Sequence, residues 1–396
     1  MLHFPAFAKT VARPLGSAMR SRGFPIARIL GIPIFMDWSW LIIWVIVVFS
    51  LLTSFASSYA NASPSLVWAA SLLTAVLFFS SLILHELSHS LVARARGLEV
   101  HGITLFIFGG VSELKSEPKK ANDELLMAVV GPLTSSLLAL VFWGVSLAFP
   151  PTSLGRGVAG WLATINLALA MFNLLPGFPL DGGRILRAIV WRVTGNFKQA
   201  SRVATGLGSL LAYGLILLGV VLMFSKGAWM SGVWIAFIGW FLLSSARSSM
   251  TQVEIQEILG KRTVSQIMRP ECTRIPSSES VRTFVEERLL RTGERCFVVS
   301  KGERMAGLVT LQDVKRLPRD EWDVTPVETI MVPIDKVHSC SPSETLVDAM
   351  EKMNSTGVSQ LPVLGEDKSL LGVLTREELL RAVAVDLDVG AGRARS

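Results

Sequence analysis

Apolar and polar positions divide this chain into two regimes. Between residues 38 and 246 they form long apolar blocks separated by short polar breaks. Crossing the hydrocarbon of a bilayer takes about 20 consecutive apolar residues in a helix. Six segments meet that length: Trp38–Ala56, Leu66–Val92, Leu125–Phe149, Val158–Leu175, Thr205–Phe224 and Trp229–Ser245. The stretch LEVHGITLFIFGGVSEL, from Leu98 to Leu114, is too short to span and rich in β-branched and aromatic residues. It predicts a membrane-inserted β-hairpin, with Gly109-Gly110 at a bend or a close backbone approach. His101 within it reads as an interfacial side chain. From residue 251 onward the apolar runs shorten to the lengths of strands and helices in a soluble α/β module.

Composition agrees. Of 396 residues 51% are hydrophobic and 17% charged, and the mean hydropathy is +0.49. The net charge of +7 does not point to nucleic acid, because the cations lie beside apolar blocks without interleaved aromatics. They are distributed unevenly. One loop carries Arg94, Arg96, Lys115, Lys119 and Lys120, and another carries Arg184, Arg187, Arg192, Lys198 and Arg202. The opposite loops hold only Arg156 and Lys226. Cations stay on the cytoplasmic side, so both termini are expected there, in a prokaryotic cell membrane. Residues 1–36 contain five cations and no acid, which fits a cytoplasmic lead or a transit peptide. No cleaved signal peptide is expected. Cys272, Cys296 and Cys340 form no CxxC pair and fit a reducing compartment.

The second apolar block contains His85-Glu-Leu-Ser-His89. Ionisable side chains at membrane depth are costly and mark function. On a helix, positions i and i+4 share a face, so two imidazoles can meet one metal ion, with Glu86 placed to act on water there. A catalytic zinc site ordinarily has three protein ligands. The third is sought in Asn173-Leu-Leu-Pro-Gly-Phe-Pro-Leu-Asp181-Gly-Gly, where Pro176, Gly177 and Pro179 interrupt the helix on the side of His89. Asp181 is then either a ligand or an N-cap on the helix that follows. For Asn173 the alternative is an amide bond between helices.

These residues resemble the site-2 protease family of intramembrane zinc metalloproteases. HELSH matches its HExxH, residues 173–183 match its N-x-x-P-x-x-x-x-D-G-G signature, and Phe108-Gly109-Gly110 matches a family glycine pair. The resemblance covers about residues 22–246. It implies one zinc ion per chain on His85, His89 and Asp181, Glu86 as base, and Asn173 donating to the substrate carbonyl or oxyanion. It also implies that Phe108, Gly109 and Gly110 belong to a β-edge that holds an extended substrate.

The C-terminal region repeats itself. TVSQIMRP (263–270) returns as PVETIMVP (326–333), and Gly307-Leu-Val-Thr310-Leu-Gln-Asp313 returns as Gly372-Val-Leu-Thr375-Arg-Glu-Glu378. Each unit reads helix, strand, strand, helix. The pair resembles tandem CBS domains, a family whose cleft often holds an adenine nucleotide. The resemblance implies that Thr310 and Thr375 approach phosphate and that Asp313 and Glu378 take the ribose. A structural or homodimerising module is the alternative. The domain boundaries read as 1–37 for a basic lead, 38–246 for the membrane domain, 247–261 for a linker, 262–318 and 325–386 for the repeats, and 387–396 for a tail.

The expectation is a polytopic α-helical membrane zinc metalloendopeptidase acting on single-span membrane proteins in the lipid bilayer, modulated through its CBS pair. A CBS-gated transporter would spread polar residues over several spans, whereas here they gather in two motifs. A catalytically inactive scaffold that binds membrane helices would have no use for Glu86.

Overall fold

The computed structural model describes residues 23–107, 109–114, 117–225, 227–270, 273–292, 296–302, 304–366 and 369–393. The described residues up to Val253 fall in one compact unit and those from Glu254 in a second.

Among the described residues, six helices are long and apolar enough to cross a membrane. They are α1 (Trp38–Ser58), α2 (Pro64–Ala95), α3 (Ala121–Leu147), α4 (Leu154–Asn173), α6 (Phe197–Met223) and α7 (Trp229–Gly260). A shorter helix, α5 (Asp181–Thr194), lies between α4 and α6. Their starts are written locally. Asp37 accepts from the Ser39 amide, Ser63 caps α2 ahead of Pro64, and Asn196 accepts from the Gln199 amide. Large side chains such as Leu133, Leu137 and Leu140 stay exposed, as acyl chains permit and water does not. The interior faces carry small and polar residues, and hydroxyls on α2 return their protons to the helix's own backbone. Ser71 and Thr74 of α2 donate to the carbonyls of Val67 and Ala70 at 2.8 and 2.7 Å.

The expected hairpin at 98–114 is present as β3 (Val100–Phe106) and β4 (Gly109–Leu114). It forms half of a four-stranded sheet in the order β1-β2-β3-β4. The other half comes from residues read from sequence as a basic lead. β1 (Phe24–Ile29) turns through Leu30 and Gly31, both at positive φ, into β2 (Ile32–Met36), which runs parallel to β3. Ile32, Ile34, Ile103 and Leu105 from one sheet face form a buried cluster with Leu87 of α2. Among the described strands, β4 closes the sheet on one side, and its outer edge pairs with none of them.

In the second unit each repeat anchors a core to which the other contributes, Val264 of the first packing in the second's and Val327 of the second in the first's. Ile275, Phe284, Phe297 and Val309 anchor one, and Val264, Leu346, Leu361 and Leu374 the other, which also takes in Ile255 and Leu259 from the end of α7. The unit boundary therefore falls within a helix, and residues 247–260 are helical. The repeats exchange backbone. Val332–Pro333 of the second pairs with the strand Arg304–Thr310 of the first, and Arg269 of the first exchanges two 3.0 Å hydrogen bonds with Val373 of the second. A Cβ at Gly307 or Gly372 would strike the carbonyl of Val332 or Arg269, so both strands need glycine there.

Candidate active site

His85 and His89 are one turn apart on α2, buried, with ring centroids 4.9 Å apart. Both rings are held from behind. His85 Nδ1 is 2.9 Å from Ser135 Oγ on α3, and His89 Nδ1 donates to the Met127 carbonyl at 2.5 Å. A carbonyl can only accept, so the His89 proton sits on Nδ1 and its Nε2 is left as a lone-pair donor. The two Nε2 atoms are 3.3 Å apart and lie 3.2 and 3.3 Å from Asp181 Oδ2. Asp181 is the first residue of α5. Leu180 holds the cap position, with no side-chain cap bond, so the capping role weighed from sequence is not the one this carboxylate takes.

These three atoms can be tested against zinc. Two donors each about 2.0–2.1 Å from an ion at a tetrahedral angle stand roughly 3.3–3.4 Å apart. The observed sides of 3.2, 3.3 and 3.3 Å match one face of such a tetrahedron. The donor set of two imidazoles and a carboxylate also suits the metal.

The Pro/Gly segment earns its composition by close packing. A Cβ at Gly177 would strike the Gly208 backbone, one at Gly182 the carbonyls of Leu174 and Leu175, and one at Gly183 the backbone of Gly177 and Phe178. The freed backbone groups find partners, as low dielectric demands. The Phe178 amide donates to the Ala204 carbonyl at 3.2 Å and the Gly177 amide to Leu175 at 2.9 Å. Two turns into α5, the buried Arg187 donates through Nε to Glu124 Oε1 of α3 at 2.6 Å and stacks its guanidinium on Phe178 and Phe197.

Glu86 points to the sheet side of α2, where a Cβ at Gly110 would lie 2.5 Å from its Cγ. Gly110 therefore makes room for the Glu86 stem, a reason for glycine not anticipated from sequence. Gly109 has φ +132°, a conformation that favours glycine. Phe108 lies outside the described residues. Asn173 is the last residue of α4, half-buried, and its side chain forms no hydrogen bond with another described residue. His101 is exposed on β3.

Sequence reasoning missed Ser135, Met127 and Gly131. The first two hold the imidazoles. A Cβ at Gly131 would overlap His89 Nε2 and stand 2.8 Å from His85 Nε2. Gly131 and Ser135 are marked in the sequence only by the small-residue content of the third apolar block, which names no site, and Met127, acting through its backbone carbonyl, is not marked at all.

In the second unit, Thr310 N and Oγ1 both donate to Asp313 Oδ2, at 2.9 and 2.7 Å. Thr375 N and Oγ1 likewise donate to Glu378 Oε2, at 2.9 and 3.0 Å. Both acids are buried and turned onto their own threonines, and Glu378 also pairs with Arg269.

Comparison with known proteins bears on both units. The family model "Peptidase family M50" matches residues 73–159 and 156–219, and "CBS domain" matches 264–320 and 327–385. A Mycobacterium tuberculosis protein, Rip3, that carries the name of a zinc metalloprotease is 33% identical over 367 residues, covering 91% of this chain and 93% of its own. A Synechocystis protein so named is 32% identical over 375 residues, covering 93% and 97%. The solved site-2 protease of Methanocaldococcus jannaschii is 29% identical, covers 58% of this chain and 95% of its own, and superposes with a TM-score of 0.43. The chain belongs to peptidase family M50, the site-2 protease family of membrane zinc metalloproteases, and carries a tandem pair of CBS domains.

Proposed function

We propose that this protein hydrolyses peptide bonds within or near the transmembrane segments of single-span membrane proteins, with His85, His89 and Asp181 holding one zinc ion. The observation that carries the reading is the triangle of 3.2, 3.3 and 3.3 Å between three donor atoms on α2 and α5. Zinc in such a site supplies a Lewis acid and brings the pKa of coordinated water near neutrality. The chain's own residues do the rest. A peptide bond in a helix is shielded, so the substrate must be extended, and the outer edge of β4 offers backbone donors and acceptors for it. Glu86 takes a proton from the attacking water as its oxygen bonds to the carbonyl carbon. It then gives that proton to the amine nitrogen as the C–N bond breaks. Asn173, whose amide has no other described partner, donates to the carbonyl oxygen as negative charge develops there.

The test is zinc content. Asp181→Ala, like His85→Ala and His89→Ala, should lower zinc occupancy in the purified chain, because each removes one of three ligands. Asp181→Ala with wild-type zinc affinity would return Asp181 to a structural role.

The CBS pair, in this reading, binds an adenine nucleotide that modulates proteolysis from the cytoplasmic side. Thr310 and Thr375 would turn their hydroxyls from Asp313 and Glu378 to phosphate, freeing the acids for ribose hydroxyls. A ligand shifts an equilibrium only by its difference in affinity for the two states, and these four side chains can supply that difference. The last span and a CBS core share α7, which gives the change a covalent route. Calorimetry on the full chain in detergent should show heat with AMP, ADP or ATP, weakened by Thr310→Ala. No heat with any of them would leave the pair as a structural or dimerising module.

A further inference from the structure

Glu86 stands beside the two imidazoles of its own helix, and its stem lies against a strand. Ile83, Glu86, Leu87 and Ser90 recur at i, i+3, i+4 and i+7, so they share the side of α2 that packs on the sheet, where Ile83 and Leu87 meet Ile103 and Leu105. Across the hairpin, Leu105 is paired with Gly110 and Ile103 with Ser112. Paired residues share a face, so Gly110 and Ser112 both point at α2 from the outermost strand. Gly110 leaves space for the Glu86 stem. Ser112 Oγ lies 3.3 Å from Glu86 Oε2 and 3.3 Å from the Glu86 carbonyl. Ser90, fully buried, donates its hydroxyl to Ser112 Oγ at 3.0 Å.

The direction of these bonds matters. Ser112 Oγ accepts from Ser90, so its own proton is committed to Glu86, to the carboxylate or to the backbone carbonyl beside it. Either acceptor would satisfy this half-buried hydroxyl. Only the first places it in the chemistry.

We propose that Ser112 is a positioning residue for Glu86, tying the carboxylate to the strand on which the substrate is laid. This rests on the protease reading above. A carboxylate on a flexible stem must be held to act as a base, and the hydrogen bond from Ser112 does that from a β4 residue rather than from a neighbouring helix. An extended peptide added to the outer edge of β4 rigidifies that strand and, through Ser112, aligns the base. Alignment of Glu86 therefore follows occupation of the strand edge, and water is activated when a substrate is in place.

The experiment measures kcat, KM and zinc content for the full chain in detergent, with a purified single-span membrane protein as substrate. Wild type, Glu86→Gln, Ser112→Ala and Ser112→Thr are compared. The proposal expects Ser112→Ala to lose about 10–100-fold in kcat, the usual cost of removing an outer-shell partner. KM and zinc content should stay at wild type, and Ser112→Thr, which keeps the hydroxyl, should recover most of the loss. Wild-type kcat in Ser112→Ala would assign the hydroxyl to the backbone carbonyl and overturn the proposal. So would a loss matched by lost zinc or carried wholly by KM, or a threonine variant no better than alanine. No cleavage by wild type, with Glu86→Gln indistinguishable from it, would sink the protease reading itself.

Discussion

A single methyl group at position 131 should damage the proposed metal site without replacing any of its ligands. Gly131 lies on α3, facing the two imidazoles. A Cβ built there stands 2.8 Å from His85 Nε2 and overlaps His89 Nε2. A carbon and a nitrogen seldom approach within about 3.4 Å, so the His85 nitrogen must retreat by roughly 0.6 Å and that of His89 by more. Neither ring is free to swing, because Ser135 holds His85 Nδ1 and the Met127 carbonyl holds His89 Nδ1. Zinc tolerates bond-length errors of only about 0.2 Å. Gly131→Ala should therefore weaken zinc binding about 10–100-fold, or roughly 1.4–2.8 kcal/mol. Overpacking should cost about 1–3 kcal/mol of stability besides. Competition against a zinc-binding dye in detergent reads the affinity directly. Gly144→Ala, on the same helix with nothing within 4 Å of the added Cβ, is the control and should bind as wild type. Wild-type affinity in Gly131→Ala would refute the claim that α3 fixes the imidazoles by contact.

Two further predictions concern other buried groups. Arg187→Met should destabilise the membrane unit by about 3–5 kcal/mol, since it leaves Glu124 buried without its partner; adding Glu124→Gln should return much of that, and thermal unfolding in detergent with no such recovery would refute it. Burial pushes the Cys340 thiol up from its ordinary value near 9 to about 11, so its contribution to stability is fully present below about pH 9 and is lost as pH rises through 11. The native chain should accordingly resist alkylation at Cys340 at pH 8, and labelling there at the rate of a free thiol would contradict the assignment.

The three residues of the proposed metal site were legible because their chemistry is periodic or punctuated. His85 and His89 stand at helical spacing in an apolar block, and Asp181 follows a Pro/Gly break that an ordinary span would not tolerate. The repeat in the C-terminal region was legible as repeated text. What could not be read was everything set by contact between distant segments. Residues 24–36 fall inside the segment read as a basic lead, whose five cations and absence of acids say nothing of strands. Only the parallel pairing of β2 with β3 shows their place. Gly131 is one more small residue in a span until α3 is packed on α2. Gly110 reads as a bend or a close approach, but what it approaches, the Glu86 stem, depends on the register of β4 against a helix. In the second unit the G-x-x-T-x-x-acid pattern was visible, but not that each acid closes on its own threonine.

In the proposed reaction Glu86 performs proton transfer beside a metal it does not hold. The most direct measurement is cleavage of a single-span membrane protein by reconstituted wild type and Glu86→Gln, with zinc counted in the same samples. Zinc should be equal in both, with cleavage by wild type alone. Appreciable cleavage by Glu86→Gln at full zinc occupancy would contradict that role.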